Sequence, residues 1–566
     1  MERFSSQNIL IIEGPVYLTG AYETPLICEQ FAPENEAFSK AIDLQRIADS
    51  GELNRKVFQA YGNWTAESKF SGAAHILANE VEAGGYRPVL ASLADIFEDS
   101  NNKLSITPNG HALLEACETV ALSTSFITTG AMLFGILWQL RRMQKRIILG
   151  GSLISKWSQA KLERTHFDFA LSWEAEGRLS VILAEIRSGA PREAILHEIP
   201  GAWWREGGRL VKSRASYAAI DFQKHSVLPS RAFVEMRKGI HSYEAVRGCP
   251  FRCEFCDYPF LMGGKKPRFK SAEWIFEEWK ALHELGVTRI QALDSLFTVP
   301  YKRMAELTKL LIQSKLAKSL SWSCFARSTE LSNRAFVENM KEAGCDTIHI
   351  GVESGSQIIL DNMKKMTTVE SNVRAMENCN AVGIPTACTL VVGFPGETEE
   401  TFQETLAMLD QHSSSVVAPL VWYPAEVESS KVPIMQPERV SQFDIKVEWG
   451  NYSIPTRVWG KDVALPFPVR WSHSTMDTET AVRLATKVAD RTREDRITGH
   501  DAMNSPYISL ITHGMKIYQI LGYERASSFL RGFRKRYVEF LNGEDPTVIR
   551  AGIPDWLRAS GLTVAE

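Results

Sequence analysis

Between Tyr243 and Trp422 short apolar runs alternate with longer amphipathic stretches, and this alternation leaves few folds open. The runs predict strands at Tyr243 to Arg247, Thr288 to Leu293, Leu320 to Ala326, Thr347 to Glu353, Thr386 to Val392 and Val416 to Trp422. Between them lie helices such as Ser271 to Leu285, closed by Gly286, and Asn333 to Ala343, closed by Gly344. Six repeats of strand then helix predict an open parallel barrel, with function at the carboxyl ends of its strands.

The first part of the chain is α/β as well. Ile9 to Ile12, Pro88 to Ala91, Thr119 to Ser123, Ile147 to Leu149 and Phe167 to Leu171 read as strands. Phe70, Ala73, Leu77 and Val81 recur at helical spacing, and Ala131 to Met143 and Leu179 to Ile186 form further helices. That order predicts a doubly wound, Rossmann-like parallel sheet, which binds ligands outside the carboxyl ends of its strands. The polar and aromatic stretch from Gly14 to about Thr65 has no simple period. From Trp203 to about Ser242 the pattern weakens into loop and short strand, with turn signals at Gly207-Gly208 and Pro229. Beyond Pro424 an aromatic stretch containing Trp449, Trp459 and Trp471 precedes helices near Glu479 to Asp490 and Tyr507 to Leu541. The expected domains are a Rossmann-like one over 1–210, a linker over 211–242, a partial barrel over 243–425 and a mainly helical C-terminal cap over 426–566.

At 566 residues the chain is long enough for two or three domains, each with a sizeable core. A formal net charge of -3, with charged residues at 23%, gives no overall pull toward nucleic acid or an anionic membrane. Met1 to Gly14 lacks a secretory pattern, and the longest apolar stretch, Ala131 to Leu140, falls short of the ~20 residues of a membrane span. The expectation is a cytoplasmic protein without nucleic-acid or membrane partners. Nine cysteines, three of them within eight positions, point to a metal site in a reducing compartment rather than to a disulfide framework.

Those three are Cys249, Cys253 and Cys256, in Cys-Pro-Phe-Arg-Cys-Glu-Phe-Cys directly after the first barrel strand. A loop of this length can wrap one corner of a cubane cluster and leave the fourth iron open for a ligand. A zinc loop, a redox pair or simple packing are the other readings; zinc would want a fourth ligand, for which His241 is the nearest candidate. Cys28, Cys117, Cys324, Cys345, Cys379 and Cys388 are scattered and show no second triplet, and Cys324 and Cys388 fall where a cysteine is a small core residue.

The spacing of Cys249, Cys253 and Cys256 resembles the signature of the radical S-adenosylmethionine (SAM) superfamily. The resemblance implies a 4Fe-4S cluster whose open iron chelates SAM, and cleavage of SAM to methionine and a 5′-deoxyadenosyl radical. Phe255 matches the aromatic position beside adenine, and Asp294 falls where the family accepts from the SAM amino group, with a helix N-cap as the other reading. Arg327 would pair with the SAM carboxylate through its guanidinium fork. Glu353 and Ser354, in Gly351-Val-Glu-Ser-Gly355, would approach the ribose hydroxyls. Gly393-Phe-Pro-Gly396-Glu397-Thr398 resembles the turn after the fifth strand, which also reads as a purely structural, capped helix start.

A doubly wound domain before such a barrel is similar to the cobalamin-binding subfamily. Ser123-Thr124-Ser125, Gly150-Gly151-Ser152 and Glu174 in Glu-Ala-Glu-Gly177 carry that likeness, the last departing from the usual Gly-Glu-Gly-Glu. A generic Rossmann-like domain is the alternative. The motif that supplies a cobalt-ligating histidine elsewhere is missing, and His75 and His111 read as ordinary surface or helix residues. The resemblance implies a cobalamin-dependent methyltransferase that moves methyl from SAM, via methylcobalamin, to an unactivated carbon of a small-molecule or peptide substrate. A low-potential donor such as flavodoxin or ferredoxin would supply electrons. Cyclisation or ring rearrangement without methyl transfer is the alternative reaction, and a non-catalytic SAM or cobalamin sensor the alternative of another class. Methylthiotransfer is disfavoured, because it would need a second cluster with its own cysteines.

Overall fold

The computed structural model describes residues 8–13, 72–100, 103–125, 127, 130–189, 191–228, 240–261, 266–412, 416–424, 432–458, 461–490, 497–498 and scattered positions from 525 to 562. The stretch from Gly14 to Thr65, the helix expected over Tyr507 to Leu541, Trp459 and Cys28 fall outside these, apart from single positions after 525. The chain divides into two compact units, one of Met1–Tyr22, Ser68–Ser295 and Ala425–Gln436, the other of Glu23–Glu67, Leu296–Pro424 and Pro437–Glu566.

The first unit holds β1 (Asn8–Ile12), β2 (Arg87–Ala91), the hairpin β3 (Phe97–Ser100) and β4 (Lys103–Ile106), then β5 (Thr119–Ser123), β6 (Arg146–Gly150), β7 (Phe169–Leu171), β8 (Ala202–Glu206) and β9 (Arg209–Lys212). A seven-stranded sheet runs β2-β1-β5-β6-β7-β8-β9. It is parallel through β7 and antiparallel beyond. Strand side chains alternate between faces. Leu10, Ile12, Val120, Leu122, Ile147 and Leu149 therefore enter one core layer, and Ile9, Ile11, Ala121 and Ile148 the other. Each buried Val, Leu or Ile side chain here stabilises the sheet by about 1.5–3 kcal/mol, and the helices Gly130–Arg142 and Gly72–Ala83 contribute to opposite layers. This is the expected doubly wound sheet.

One detail departs from the sequence reading. The chain does not fade into linker after Trp203: β8 and β9 form a hairpin that extends the sheet, because Trp203 and Trp204, 6% and 4% exposed, bury their indoles in opposite core layers. His75 is a buried residue of the helix Gly72–Ala83, its ring 4.7 Å from that of His241, whereas His111 is exposed.

Still in the first unit, β10 (Ile240–Tyr243) pairs in parallel with β13 (Arg289–Ala292), while β11 (Val246–Arg247) pairs antiparallel with β12 (Arg268–Phe269). The expected strand from Tyr243 to Arg247 is thus two elements. The break has a local cause: Asp294 Oδ1 accepts the backbone N–H groups of Ala245 and Val246 at 2.8 and 2.7 Å, taking donors that a continuing parallel strand would give to its neighbour.

The second unit carries β14 (Ser321–Ala326), β15 (Cys345–Glu353), β16 (Thr386–Val392), β17 (Val416–Val421), the long antiparallel pair β18 (Lys446–Val458) and β19 (Lys461–His473), β20 (Met476–Asp477) and β21 (Ile497–Thr498). Strands β14 to β17 pair in parallel in chain order, with helices between them, as the barrel reading requires. Burial alternates along β16, one side closed under helices and the other half-open. On that open side Phe325 and His349 stack at 4.7 Å across β14 and β15. Cys324, Cys345, Cys379 and Cys388 are all buried, in keeping with small core residues.

The aromatic stretch after Pro424 is a three-stranded antiparallel sheet, an element absent from the expectation of a mainly helical cap. Trp471 is buried and packs on Trp422 and His473, whereas Trp449 is 43% exposed against Tyr423. Among the described residues no helix is long and apolar enough to cross a membrane.

Candidate functional site: a cysteine loop and a glycine-floored cleft

The ribbon of β11 and β12 leads directly into the loop from 248 to 257, which holds the three cysteines. Cys253 is buried, Cys249 and Cys256 are half-buried, and the N–H of Cys256 donates to the carbonyl of Cys253 at 3.1 Å, curling the loop back on itself. Burial pushes the Cys256 thiol up to about 12, with the neighbouring Asp257, Cys253 and Cys249 adding to the effect. Such a sulfur ligates only when a metal's positive charge holds it as thiolate. His241, the fourth ligand a zinc site would have drawn on, lies elsewhere: it is buried against His75 with its Nε2 3.3 Å from the carbonyl of Val227. Among the described residues no three His, Cys, Asp or Glu side chains converge as a single-ion site. Three sulfur donors in one short loop fit a cluster with an open iron. Phe255 is half-buried in the same loop, and Asp294 is 1% exposed, holding the chain that leads into it rather than capping a helix.

A cleft opens at the carboxyl ends of β1, β5, β6 and β7 and encloses about 930 Å³ of empty space, open solvent at its mouth included. Ser123, Ser125, Gly150, Gly151, Ser152 and Glu174 line it, as the sequence suggested. Gly151 has φ +92, and a Cβ there would lie 2.8 Å from the backbone N of Thr124 and of Ser125. Gly150 faces open space. A floor of bare backbone lets a large planar ligand come close. Thr124 is not part of the wall: it is fully buried, its hydroxyl donating to the Gly150 carbonyl at 2.6 Å and accepting from Ile154 N at 3.4 Å, so it braces β5 against β6.

Glu174 borders the cleft, but its carboxylate is already engaged. It accepts from Arg247 at 3.1 Å, Arg268 at 2.7 Å, the Tyr217 hydroxyl at 3.0 Å and Ile220 N at 3.3 Å. Arg247 also binds Glu176 and Glu244, the latter at 2.8 Å. Burial raises Glu176, yet the Arg247 charge outweighs it and holds that carboxyl below its ordinary value. Burial likewise works against the Arg247 charge, and the surrounding carboxylates overcome it. Sequence reasoning missed Arg247, Arg268 and Glu244, and named Glu176 only as part of the Glu-Ala-Glu-Gly177 motif. The available signal was Arg247 itself, a charge in a strand two positions before Cys249. A second link joins the same parts: Lys156 pairs with Asp257, next to Cys256. The helices Ser152–Lys156 and Tyr258–Leu261 pack together there, and Leu261 reaches the cleft wall.

In the second unit Glu353 ends β15 in a left-handed conformation, φ +62, where the register with β16 shifts. Its carboxylate binds Lys365 at 2.6 Å, folded over Gly351, where a Cβ would sit 2.5 Å from the Glu353 Oε1. A non-glycine residue held at positive φ is uncommon and costs about 1–3 kcal/mol, which the surrounding contacts must offset. Ser354 is turned inward, bonded to Thr405 at 3.2 Å and accepting from Ser356 N at 3.1 Å. Arg327, 6% exposed, donates to the carbonyls of Lys365 and Met366, so it shares one turn with the Glu353 partner. Glu397 accepts from Gly393 N, and burial pushes its carboxyl up to about 8; Thr398 caps the following helix. His473 Nε2 faces the Gly393 carbonyl at 3.3 Å, and burial lowers that imidazole to about 4.

Residues 243–409 match the Radical SAM superfamily. An uncharacterized methyltransferase of Pyrococcus horikoshii is 35% identical over 161 residues, 28% of this chain and 34% of the relative. The anaerobic magnesium-protoporphyrin IX monomethyl ester cyclase of Rubrivivax gelatinosus is 29% identical over 34% of this chain and 33% of its own length. The chain thus spans about a third of the length of these curated relatives. Among solved structures, the radical SAM methyltransferase TsrM of Kitasatospora setae, with cobalamin and a 4Fe-4S cluster bound, superposes with a TM-score of 0.54 at 16% identity, over 77% of this chain and 78% of that one. The cobalamin-dependent SAM radical enzyme OxsB, with aqua-cobalamin and SAM bound, gives 0.54 at 14% identity, over 99% and 76%. At these identities the likeness is one of fold. On these matches residues 243–409 carry a radical SAM domain, and the fold of the chain is like that of TsrM and OxsB.

Proposed function

We propose that this protein is a cobalamin-dependent radical SAM methyltransferase that moves a methyl group from SAM, by way of cobalamin, to an unactivated carbon of a small-molecule or peptide substrate. One observation carries the reading: the cysteine loop and the glycine-floored cleft belong to one compact unit and are joined through Arg247, Glu174 and Glu176. When bound, the cluster with SAM supplies a hydrogen-abstracting radical and the corrin supplies a methyl carrier.

The chain's own contribution is placement. Cys249, Cys253 and Cys256 would hold three irons, Gly150 and Gly151 would let the corrin lie on backbone, and Ser123, Ser125 and Ser152 would meet its amides. Within the second unit Arg327 and Glu353, both tied to the turn at Lys365, are the residues we assign to SAM. A fixed Arg247 network would set the spacing between the two cofactor seats, and proximity of that kind accounts for much of the rate in a reaction whose chemistry belongs to the cofactors.

The test is anaerobic reconstitution with iron, sulfide and hydroxocobalamin, followed by incubation with methyl-labelled SAM and reductant. Label on the corrin together with 5′-deoxyadenosine supports methyl transfer. Release of 5′-deoxyadenosine with no label on the corrin would point to cyclisation or rearrangement, as in the Rubrivivax relative. A loaded protein that cleaves no SAM would leave the sensor reading standing.

A further inference from the structure

Two residues beyond β7, Trp173 holds φ +69, in the left-handed region. For a side chain of this bulk that conformation is an outlier, whereas glycine adopts it freely. Such strain persists only where the surroundings over-determine it, and here they do. The Trp173 N–H donates to the Ser155 hydroxyl at 2.7 Å, and that hydroxyl donates to the Gly151 carbonyl at 3.1 Å. The indole meets the Tyr217 ring in a T-shaped contact at 5.1 Å, and Tyr217 is held in turn by its hydroxyl, which donates to Glu174 at 3.0 Å. The ring also needs a missing side chain: a Cβ on Gly201, itself at φ +75, would lie 2.8 Å from Trp173 Cε3.

All this bracing leaves the ring half-buried, and it lines the cleft at the carboxyl ends of β1, β5, β6 and β7. Among the described residues Trp173 is the only aromatic of that wall, whose other apolar side chains are aliphatic, Ile11, Leu77, Ile148 and Leu171 among them. Through Ser155 its backbone is tied to Gly151, so the bare floor of the cleft and its one large flat side chain are held as a unit. We propose that Trp173 is a corrin-binding residue, its indole the aromatic wall on which the bound ring packs beside the floor of Gly150 and Gly151. The inference rests on the corrin reading of this cleft. An indole offers a broad, rigid apolar face, and a wall fixed before the ligand arrives gives up little side-chain freedom on binding. The strained turn is what aims that face into the cleft.

The experiment measures hydroxocobalamin binding to the full-length protein by equilibrium dialysis, with iron content after reconstitution as the control on folding of the same unit. Three variants separate ring from backbone. Trp173→Phe keeps an aromatic face, Trp173→Ala removes it and keeps the strained turn, and Trp173→Gly removes it and relieves the strain. The expected result is at least about a tenfold loss of affinity in both Trp173→Ala and Trp173→Gly, a loss within about threefold in Trp173→Phe, and iron near the wild-type content in all three. Wild-type affinity in the alanine and glycine variants would overturn the proposal. A loss in Trp173→Gly alone would overturn it as well, since the ligand would then depend on the backbone and not on the ring. So would loss of iron together with corrin, the mark of a residue that only packs. Wild type that binds no hydroxocobalamin would instead remove the corrin reading of the cleft, and this role with it.

Discussion

Arg247 donates to Glu174 across 3.1 Å, which ties the strand leading into the cysteine loop to the turn after β7 at the edge of the cleft. Both side chains are almost wholly buried. Arg247→Met would leave Glu174 and Glu176 short of a buried counter-charge, and breaking such a pair costs about 3–5 kcal/mol. We expect a lowered unfolding midpoint in the apo-protein and a partial loss of iron on reconstitution. Lysine at this position keeps the charge but loses the fork, and should fall between the two. Acid should stress the same network: the Glu176 contribution is complete above the ordinary carboxylate range and is lost as pH falls through its depressed folded value. An Arg247→Met protein as stable as wild type in denaturant titration would show the network to be incidental.

Removal of one sulfur is the simplest probe of the loop. Cys253 is the most buried of the three. Cys253→Ala should abolish stoichiometric iron incorporation and SAM cleavage while leaving corrin absorption in place, since the cleft floor is made by other strands. Metal analysis and the absorption spectrum of the same sample read both quantities. Loss of corrin together with iron would mean that the two seats do not form independently.

Gly151 offers the complementary probe. Its φ of +92 with ψ near 180° is a backbone conformation essentially reserved for glycine, and alanine there costs about 1–3 kcal/mol. The added methyl would also press on Thr124 N and Ser125 N at 2.8 Å. Gly151→Ala should therefore weaken hydroxocobalamin retention, measured by equilibrium dialysis, with iron content near that of wild type. Equal corrin binding in the variant would place the corrin elsewhere.

Around Gly393, pH should act through two buried groups with opposite signs. Glu397, raised to about 8, stays protonated in the folded protein while the unfolded chain ionises near the ordinary carboxylate value, so its effect lowers stability as pH rises toward 8. His473, lowered to about 4, stays neutral, so its effect lowers stability as pH falls below about 6.5. Between the ordinary carboxylate value and about 6.5 the two slopes oppose each other; above about 6.5 Glu397 acts alone, with a slope approaching about 1.4 kcal/mol per pH unit. Glu397→Gln keeps an acceptor for Gly393 N without the charge. Its unfolding midpoint should be flatter than that of wild type between pH 6.5 and 8, and identical slopes would exclude Glu397 as the titrating group.

The parts of this architecture legible in the sequence are those that rest on local periodicity. Strand Thr119 to Ser123 and strand Thr386 to Val392 fall where the apolar runs put them, because burial on both faces or on alternate positions writes itself into the run. The break in the first barrel strand was not legible, since its cause is Asp294, nearly fifty residues away. The cleft residues were found from glycines and hydroxyls after strands, but Thr124 and Ser125 stand side by side with opposite roles, and only packing separates a brace from a wall. Glu174 lines the cleft, but its partners Arg247 and Arg268 lie more than seventy residues further on, and nothing in its own surroundings announces them. The antiparallel sheet of β18 to β20 escaped because prolines and glycine interrupt the alternation that marks a strand.

The strap that follows β9 has a bearing on how the protein comes into being. Tyr217 and Ile220 reach Glu174 on their own, but Arg247 and Arg268 are synthesised later than the sheet they neutralise. Until they arrive, the nascent first domain carries Glu174 and Glu176 without these arginine partners at the rim of its cleft. A fragment ending at 228 would be a sheet with a defective rim rather than a transplantable vitamin-binding module. Grafting this domain onto another enzyme would mean carrying the stretch through Phe269 with it.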